Sequence, residues 1–146
     1  GSADEDPGDD EALPAMKELF LASEWAHRTP AEIELALETV IDGIAVRGRI
    51  DAVFPRPGGG YTIVDWRTGS KPSGEVARTR ALQLAAYRVA FARLRGLDPD
   101  EVDGAFYYAG TGETAWPDLP DETALAELLG AVPPVDVPAA ASARGG

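Results

Sequence analysis

The sequence contains no cysteine, and this absence excludes several kinds of site. Disulfide bonds, zinc sites with thiolate ligands and iron–sulfur clusters all require cysteine. The single histidine, His27, follows Trp25 in a predicted loop, and we interpret it as an ordinary polar residue. No apolar run approaches the roughly 18 residues needed to span a bilayer, and no secretory signal is visible. We therefore expect a soluble, cytoplasmic protein without a membrane partner.

Lysine is also scarce, since only two of the thirteen basic residues are lysines. The net charge of −12 is unusual for a nucleic-acid-binding protein, but the charge is unevenly distributed. Residues 43–97 contain ten basic and three acidic residues, so this segment carries a net charge of +7. A basic central segment can present a face that attracts phosphate. The alternative is that its arginines only solvate a helix and loops.

The length of 146 residues suits one compact domain. Residues 1–12 are strongly acidic, and residues 131–146 are mainly Ala, Pro, Gly and Val without a helical or strand period, so both segments are expected to be disordered. The folded domain is predicted at residues 13–130. Gly1-Ser2 is typical of the remnant of a cleaved expression tag, which indicates an excised piece of a longer protein.

Residue periodicity predicts a mixed α/β domain in which a helix precedes a three-stranded antiparallel meander. A long helix, a fourth strand, a short fifth strand and a last helix follow. Asp42-Gly43 is a hairpin signal, Gly96 a helix stop and Asp121 a helix N-cap. The predicted helices are 13–25, 75–95 and 120–129, and the predicted strands are 33–38, 44–54, 61–67, 103–109 and 114–116.

Two aspartates lie on neighbouring strands of the predicted meander, Asp51 on the second and Asp65 on the third. Aspartate has poor β propensity and is costly to bury without a partner. Two such carboxylates on one hairpin would lie close together and attract a divalent cation. Arg67 shares a strand face with Asp65 because side chains at i and i+2 point the same way. The alternative for Asp51 is an ion pair with Arg47 or Arg49.

Three ordered motifs resemble the RecB-type branch of the PD-(D/E)xK nucleases: Gly48-Arg49-Ile50-Asp51, Val64-Asp65-Trp66-Arg67-Thr68-Gly69, and Gln83 to Tyr87 on the following helix. Within that branch, Pro30, Glu34, Asp42-Gly43 and Arg47 extend the resemblance to the C-terminal nuclease module of the bacterial AdnB helicase–nuclease. The resemblance covers about residues 19–130. It implies a restriction-endonuclease-like core of order αβββαβ, which agrees with the predicted elements.

The resemblance also implies a function, namely a Mg²⁺- or Mn²⁺-dependent deoxyribonuclease that hydrolyses phosphodiesters without sequence specificity. The implied substrate is a single DNA strand or an unwound duplex end, in end resection or recombinational repair. The implied protein partners are an upstream helicase domain and a related nuclease–helicase subunit.

The implied metal ligands are Asp51, Asp65 and the backbone carbonyl of Trp66. Arg67 departs from the family, which has lysine at this position to hold or polarise the attacking water. Arginine keeps the positive charge but remains protonated at any working pH, so it cannot act as a base. Lys71, four residues later, is a candidate to reach back in its place. The alternative is that Arg67 forms an ion pair with Asp65 in a degenerate site.

Gln83 and Tyr87 share one helix face, and the resemblance assigns both to the nuclease motif near the metal and DNA. The alternative is core packing for Tyr87 and a backbone hydrogen bond for Gln83. The predicted phosphate contacts are Arg80 and Lys71. Glu34 is a metal ligand or the partner of an arginine on the adjacent strand. Glu18 and Glu24 are candidates for an acid that many family members carry on the first helix.

Two alternative functions follow from these observations. The first is a catalytically weakened or inactive nuclease-like domain, marked by Arg67, that is retained for DNA binding or partner docking. The second is an acidic protein-interaction domain that does not contact nucleic acid.

Overall fold

The structure, a computed structural model, describes residues 9–131 of the chain. Most of the two segments predicted to be disordered therefore lies outside the described residues. Within the described range, no helix is both long enough and apolar enough to cross a membrane.

A five-stranded mixed sheet forms the centre of the fold, with its strands in the spatial order β1-β2-β3-β4-β5. The pairs β1–β2, β2–β3 and β4–β5 are antiparallel, so the predicted meander is confirmed. The pair β3–β4 is parallel. The strands are β1 Glu32–Ile41, β2 Ile44–Pro55, β3 Tyr61–Arg67, β4 Val102–Tyr108 and β5 Glu113–Ala115.

Three α-helices accompany the sheet: α1 Asp9–Leu21, α2 Gly74–Arg95 and α3 Glu122–Ala131. Helix α2 connects the parallel strands β3 and β4, which need such a crossover. It ends at Gly96, whose φ of 70° is the left-handed conformation that glycine adopts most easily. Asp121 caps α3, because its Oδ1 accepts a hydrogen bond of 2.8 Å from the Ala124 N–H.

The first helix differs from the prediction at both ends. It begins at Asp9, four residues before the predicted start, and acidic residues are favoured in the first turn of a helix by the helix dipole. It stops at Leu21, and the Ser23 hydroxyl then donates to the Phe20 carbonyl over 2.6 Å. A separate 3₁₀ helix, Glu24–His27, follows where a loop was predicted around His27.

The two sheet faces are covered by different elements. On one face, α2 side chains such as Leu84 and Phe91 pack against Val53 and Ile63 of the sheet. On the other face, Trp25 of the 3₁₀ helix heads a cluster with buried residues of β2, β3 and β4: Ala52, Phe54, Val64, Ala105 and Tyr107. Burying each large apolar side chain stabilises the fold by about 1.5–3 kcal/mol. The sheet is therefore held from both sides, which fixes the directions of its side chains.

The β1–β2 pair is irregular at one position. Ile33 pairs with Ala52 and Leu35 with Ile50, which leaves Glu34 opposite Asp51. Glu34 has a φ of 50°, which is unusual for a residue with a side chain. Ile50 and Val53 both belong to the cluster on the α2 face, although strict alternation would separate residues three apart. The alternation of side chains along β2 is therefore interrupted between Ile50 and Val53, and Asp51 lies within this interruption.

Candidate active site

The two predicted aspartates lie together at one end of the β2–β3 pair. The last paired residues at that end are Ala52 and Val64, and Asp51 and Asp65 are the next residue on each strand. Asp51 Oδ2 accepts a hydrogen bond of 2.8 Å from the Trp66 N–H. The carboxyl groups of Asp51 and Asp65 are close enough to share a hydrogen bond. The structure thus brings both carboxyl groups to a common point.

This proximity changes the acidity of Asp65. Burial, followed by the hydrogen bond with Asp51, raises the pKa of Asp65 from 3.8 to about 7, although the positive charge of Arg67 opposes the shift. Two neighbouring carboxylates repel each other when both are ionised, which favours the protonated form of one of them. A divalent cation would relieve the same repulsion more completely than one proton does.

Arg67 lies against Asp65, which is the ion pair expected under the alternative of a degenerate site. Its Nε is 2.8 Å from Asp65 Oδ2. The N–H bond does not point at an acceptor, so the contact is an ion pair and not an aligned hydrogen bond. The guanidinium carbon lies 5.8 Å from the centre of the Phe106 ring. Arg67 is therefore held between the carboxylate and an aromatic ring.

Tyr87 approaches the same place from α2, and a glycine makes room for it. A Cβ atom added to Gly48 on β2 would lie only 2.2 Å from the Tyr87 hydroxyl oxygen. Burial, and then the negative charge of Asp65, raise the pKa of Tyr87. Sequence reasoning assigned no role to Gly48. A glycine within a strand was the available signal, because it often marks a close approach of another group.

For three other predicted residues, all within residues 9–131, the structure shows no side-chain hydrogen bond to either aspartate. Trp66 packs its side chain against Phe20 and Tyr107 on the opposite sheet face, with ring centres 5.9 Å apart in both pairs. Only its backbone is therefore near the aspartates, and metal binding by its carbonyl stays a prediction. Gln83 and Arg80 are partly buried on α2. No side-chain hydrogen bond of Gln83 or Arg80 is present within residues 9–131.

Two predicted roles are not supported by the geometry. Lys71 does not reach back to the aspartates, because its Nζ pairs with Glu113 Oε2 on β5 at 3.4 Å. Glu34 is exposed and pairs with Arg49 at 3.9 Å, which is the salt bridge considered as the alternative to metal binding. Lys71 and Glu34 thus each form an exposed salt bridge with a residue other than the two aspartates.

Neither of the two acids predicted from the first helix, Glu18 and Glu24, joins Asp51 and Asp65 as a third acid. Glu18 is exposed on α1, and Glu24 forms an ion pair of 3.0 Å with Arg28. In the part of the chain that the structure describes, no group of three or more His, Cys, Asp or Glu side chains is arranged to hold a metal. The candidate site therefore rests on two carboxylates.

Two carboxylates nevertheless fit a hard divalent cation. Mg²⁺ is usually bound by one or two carboxylates and keeps several water ligands. One oxygen of Asp51 is engaged by the Trp66 N–H, and one oxygen of Asp65 is paired with Arg67. Each carboxyl group retains a second oxygen, so the donor set suits Mg²⁺ or Mn²⁺ and not a four-ligand structural zinc site.

Most of the positive charge of residues 43–97 is compensated locally. Eight of its ten basic residues have a carboxylate oxygen within 4.0 Å: Arg47, Arg49, Arg56, Arg67, Lys71, Arg88, Arg93 and Arg95. Arg78 and Arg80 have no such partner among residues 9–131. Both of these arginines lie in the first half of α2, where contact with phosphate stays a prediction.

Comparisons with known proteins complete the description. The family model of the PD-(D/E)XK nuclease superfamily matches residues 4–134. The Gene 69 protein of Mycobacterium phage D29 is 35% identical over 92 residues, which are 63% of this chain and 31% of the phage protein. A crystal structure of SSO0001 is 19% identical with a TM-score of 0.44, covering 84% of this chain and 56% of that one. The chain thus spans less than a third of the phage protein and little more than half of the SSO0001 chain.

Proposed function

The chain belongs to the PD-(D/E)XK nuclease superfamily, and on that basis we propose that it is a metal-dependent deoxyribonuclease. The observation that carries this proposal is the meeting of the Asp51 and Asp65 carboxyl groups beside Arg67 and Tyr87. A partly buried acid whose pKa is raised by its surroundings lowers the stability of the fold at neutral pH, and acids of this kind are concentrated at functional sites.

In this proposal, Asp51, Asp65 and the Trp66 carbonyl hold Mg²⁺ or Mn²⁺. The bound cation supplies an activated water and neutralises charge on the phosphate. Arg67 adds a fixed positive charge beside the reacting phosphate and takes no part in proton transfer. The Tyr87 hydroxyl and the Gln83 side chain, both on α2, orient the reacting groups beside the metal. Arg80, one turn before Gln83, contacts a backbone phosphate.

The proposal extends to the setting of the reaction. We infer that the chain is the nuclease module of a helicase–nuclease that acts in DNA end resection or recombinational repair. The supporting observation is the resemblance of its motifs to the AdnB nuclease module. Contacts to phosphate position DNA without reading bases, so cleavage without sequence preference is expected.

The experiment is cleavage of single-stranded DNA with Mg²⁺ or Mn²⁺ supplied and with EDTA as the blank. Asp51→Ala and Asp65→Ala are each expected to lower the rate by at least about a hundredfold, because each removes a metal ligand. Glu38→Ala is the matched control, since Glu38 is an exposed acid of β1 that pairs only loosely with Arg47, at 3.9 Å. Cleavage that survives both aspartate substitutions would end the proposal.

A second candidate function is a weakened or inactive nuclease fold retained for DNA binding or partner docking. The observation in its favour is the Arg67–Asp65 ion pair, which engages one oxygen of a carboxylate that is proposed to bind the metal. Arg67→Lys separates the two functions, because a lysine is smaller and leaves more of that carboxylate available. Cleavage that appears only in this variant supports decay. Wild-type cleavage that falls in this variant supports an active enzyme adapted to arginine.

A further inference from the structure

A small cavity lies next to the candidate active site, although none of Asp51, Asp65 and Arg67 lines it. Its volume is about 140 Å³, and its walls are mostly apolar. The residues important here are Phe106 and Tyr108 of β4, Trp116 just after β5, and Lys71. We call this space the aromatic cavity.

The aromatic cavity shares a wall with the candidate active site. Phe106 is the neighbour of Asp65 in the parallel β3–β4 register. The same ring lies 5.8 Å from the guanidinium carbon of Arg67. A group seated in the cavity would therefore be adjacent to a phosphate held at Arg67 and the two aspartates.

Trp116 has an accessible ring, unlike the buried Trp25. It is 49% exposed, whereas Trp25 is 2% exposed. Trp116 packs against Trp25 with ring centres 5.9 Å apart and an angle of 41° between the planes, which fixes its position without covering it. The exposed Lys71 adds a positive charge at the cavity, although Glu113 pairs with it. A half-exposed aromatic ring beside a cation suits a planar ring that carries a phosphate.

The size of the cavity limits what it accepts. An apolar cavity of about 150 Å³ admits a single benzene-sized ring. Pockets for drug-sized ligands are larger, about 300–1,000 Å³. A cavity of about 140 Å³ thus has room for one six-membered ring.

We propose that the aromatic cavity receives one nucleobase of pyrimidine size, from a nucleotide next to the phosphate held at Asp51 and Asp65. This inference rests on the proposed nuclease function and specifies its substrate. A base inside a duplex is paired and stacked, so only an unpaired base can enter without the cost of extruding it. The structure thereby favours single-stranded DNA, held by stacking on Trp116 and by phosphate contacts.

The test is the affinity for a fluorescein-labelled oligothymidine, measured by anisotropy in EDTA so that no strand is cut. The second probe is a strand of abasic sites with the same number of phosphates. Stacking of one base contributes about 1–3 kcal/mol, so Trp116→Ala is expected to weaken oligothymidine binding by roughly 5- to 150-fold. Trp116→Phe keeps an aromatic face and should remain within about threefold of the wild type.

The abasic probe separates base contacts from phosphate contacts. The wild type should bind the abasic strand more weakly than oligothymidine. Trp116→Ala should bind the two strands almost equally, because it already lacks the stacking contact that the abasic strand cannot make. Leu128→Ala is the control, as Leu128 is 44% exposed on α3 and does not line the cavity. If Trp116→Ala does not fold, the abasic comparison on the wild type still decides whether a base is bound.

Two results would overturn the inference in distinguishable ways. If Trp116→Ala binds oligothymidine as the wild type does, or if the wild type binds both strands equally, the cavity holds no base. The nuclease proposal then stands as long as Asp65→Ala still abolishes cleavage in the parallel assay. If the wild type neither binds nor cleaves single-stranded DNA, the proposed function fails together with this inference.

Discussion

Replacing Gly48 with alanine tests the packing that brings Tyr87 to the candidate active site. The new Cβ would lie 2.2 Å from the Tyr87 hydroxyl oxygen, 2.5 Å from Cζ and 2.7 Å from Cε1. Ordinary contacts between such atoms are at least about 3.4 Å, so the ring must move by roughly 1 Å or more. Overpacking of this kind costs about 1–3 kcal/mol, which urea denaturation would measure as a lower free energy of unfolding.

The same substitution should lower DNA cleavage. A displacement of about 1 Å at a reacting centre can cost roughly a hundredfold in rate. Tyr87→Phe should relieve little of the strain, because Cζ and Cε1 remain within 2.7 Å of the new methyl group. Tyr87→Leu shortens the side chain, so Gly48→Ala should cost less in that background. This difference is the coupling energy of a double-mutant cycle.

Gly58→Ala is the matched control, since a Cβ there would meet nothing within 4 Å. Gly58 also has no positive φ, so its free energy of unfolding should change by no more than about 0.5 kcal/mol. The reasoning would be refuted if Gly48→Ala were as stable as Gly58→Ala. It would also be refuted if Gly48→Ala cost as much in the Tyr87→Leu background as it does beside the native tyrosine.

Three further predictions concern Asp65, α3 and Thr62. In metal-free buffer the folded pKa of Asp65, about 7, exceeds the unfolded value of 3.8, so the free energy of unfolding should fall as pH rises from about 4 to 7, by at most roughly 4 kcal/mol. Asp65→Asn should flatten that slope, and an unchanged slope would assign it to other groups. Asp121→Ala removes the α3 cap and should cost about 1 kcal/mol in urea denaturation, whereas no loss would mean that the cap is dispensable. Thr62→Val should cost about 1–3 kcal/mol, because the buried hydroxyl donates to Asp103 Oδ1 over 2.6 Å, and an unaltered melting temperature would contradict this.

Local patterns in the sequence predicted most of the fold. Strand β3 has the predicted bounds, and the predicted stop at Gly96 and cap at Asp121 are both present. Alternation, turn residues and caps act over a few residues, so the sequence displays them directly. The first helix was misplaced because its acidic start was interpreted as disorder.

The side-chain contacts across the site were harder to predict from the sequence. The meeting of Asp51 and Asp65 followed from hairpin geometry, and the structure has it. Lys71 and Glu113 are 42 positions apart in the sequence, and Gly48 and Tyr87 are 39 positions apart. Each contact joins elements whose relative placement no local pattern specifies. The left-handed conformation of Glu34 was equally hidden, since nothing in its own neighbourhood requires it.

The tight connection between β2 and β3 controls the candidate site from a distance. Its backbone closes through the Arg56 N–H and the Gly60 carbonyl at 3.0 Å, and a Cβ at Gly60 would lie 2.1 Å from the Glu101 carbonyl oxygen. Sliding one strand by a single residue would send Asp51 and Asp65 to opposite sides of the sheet. A short glycine-rich loop with no chemistry of its own therefore decides whether the two acids ever meet.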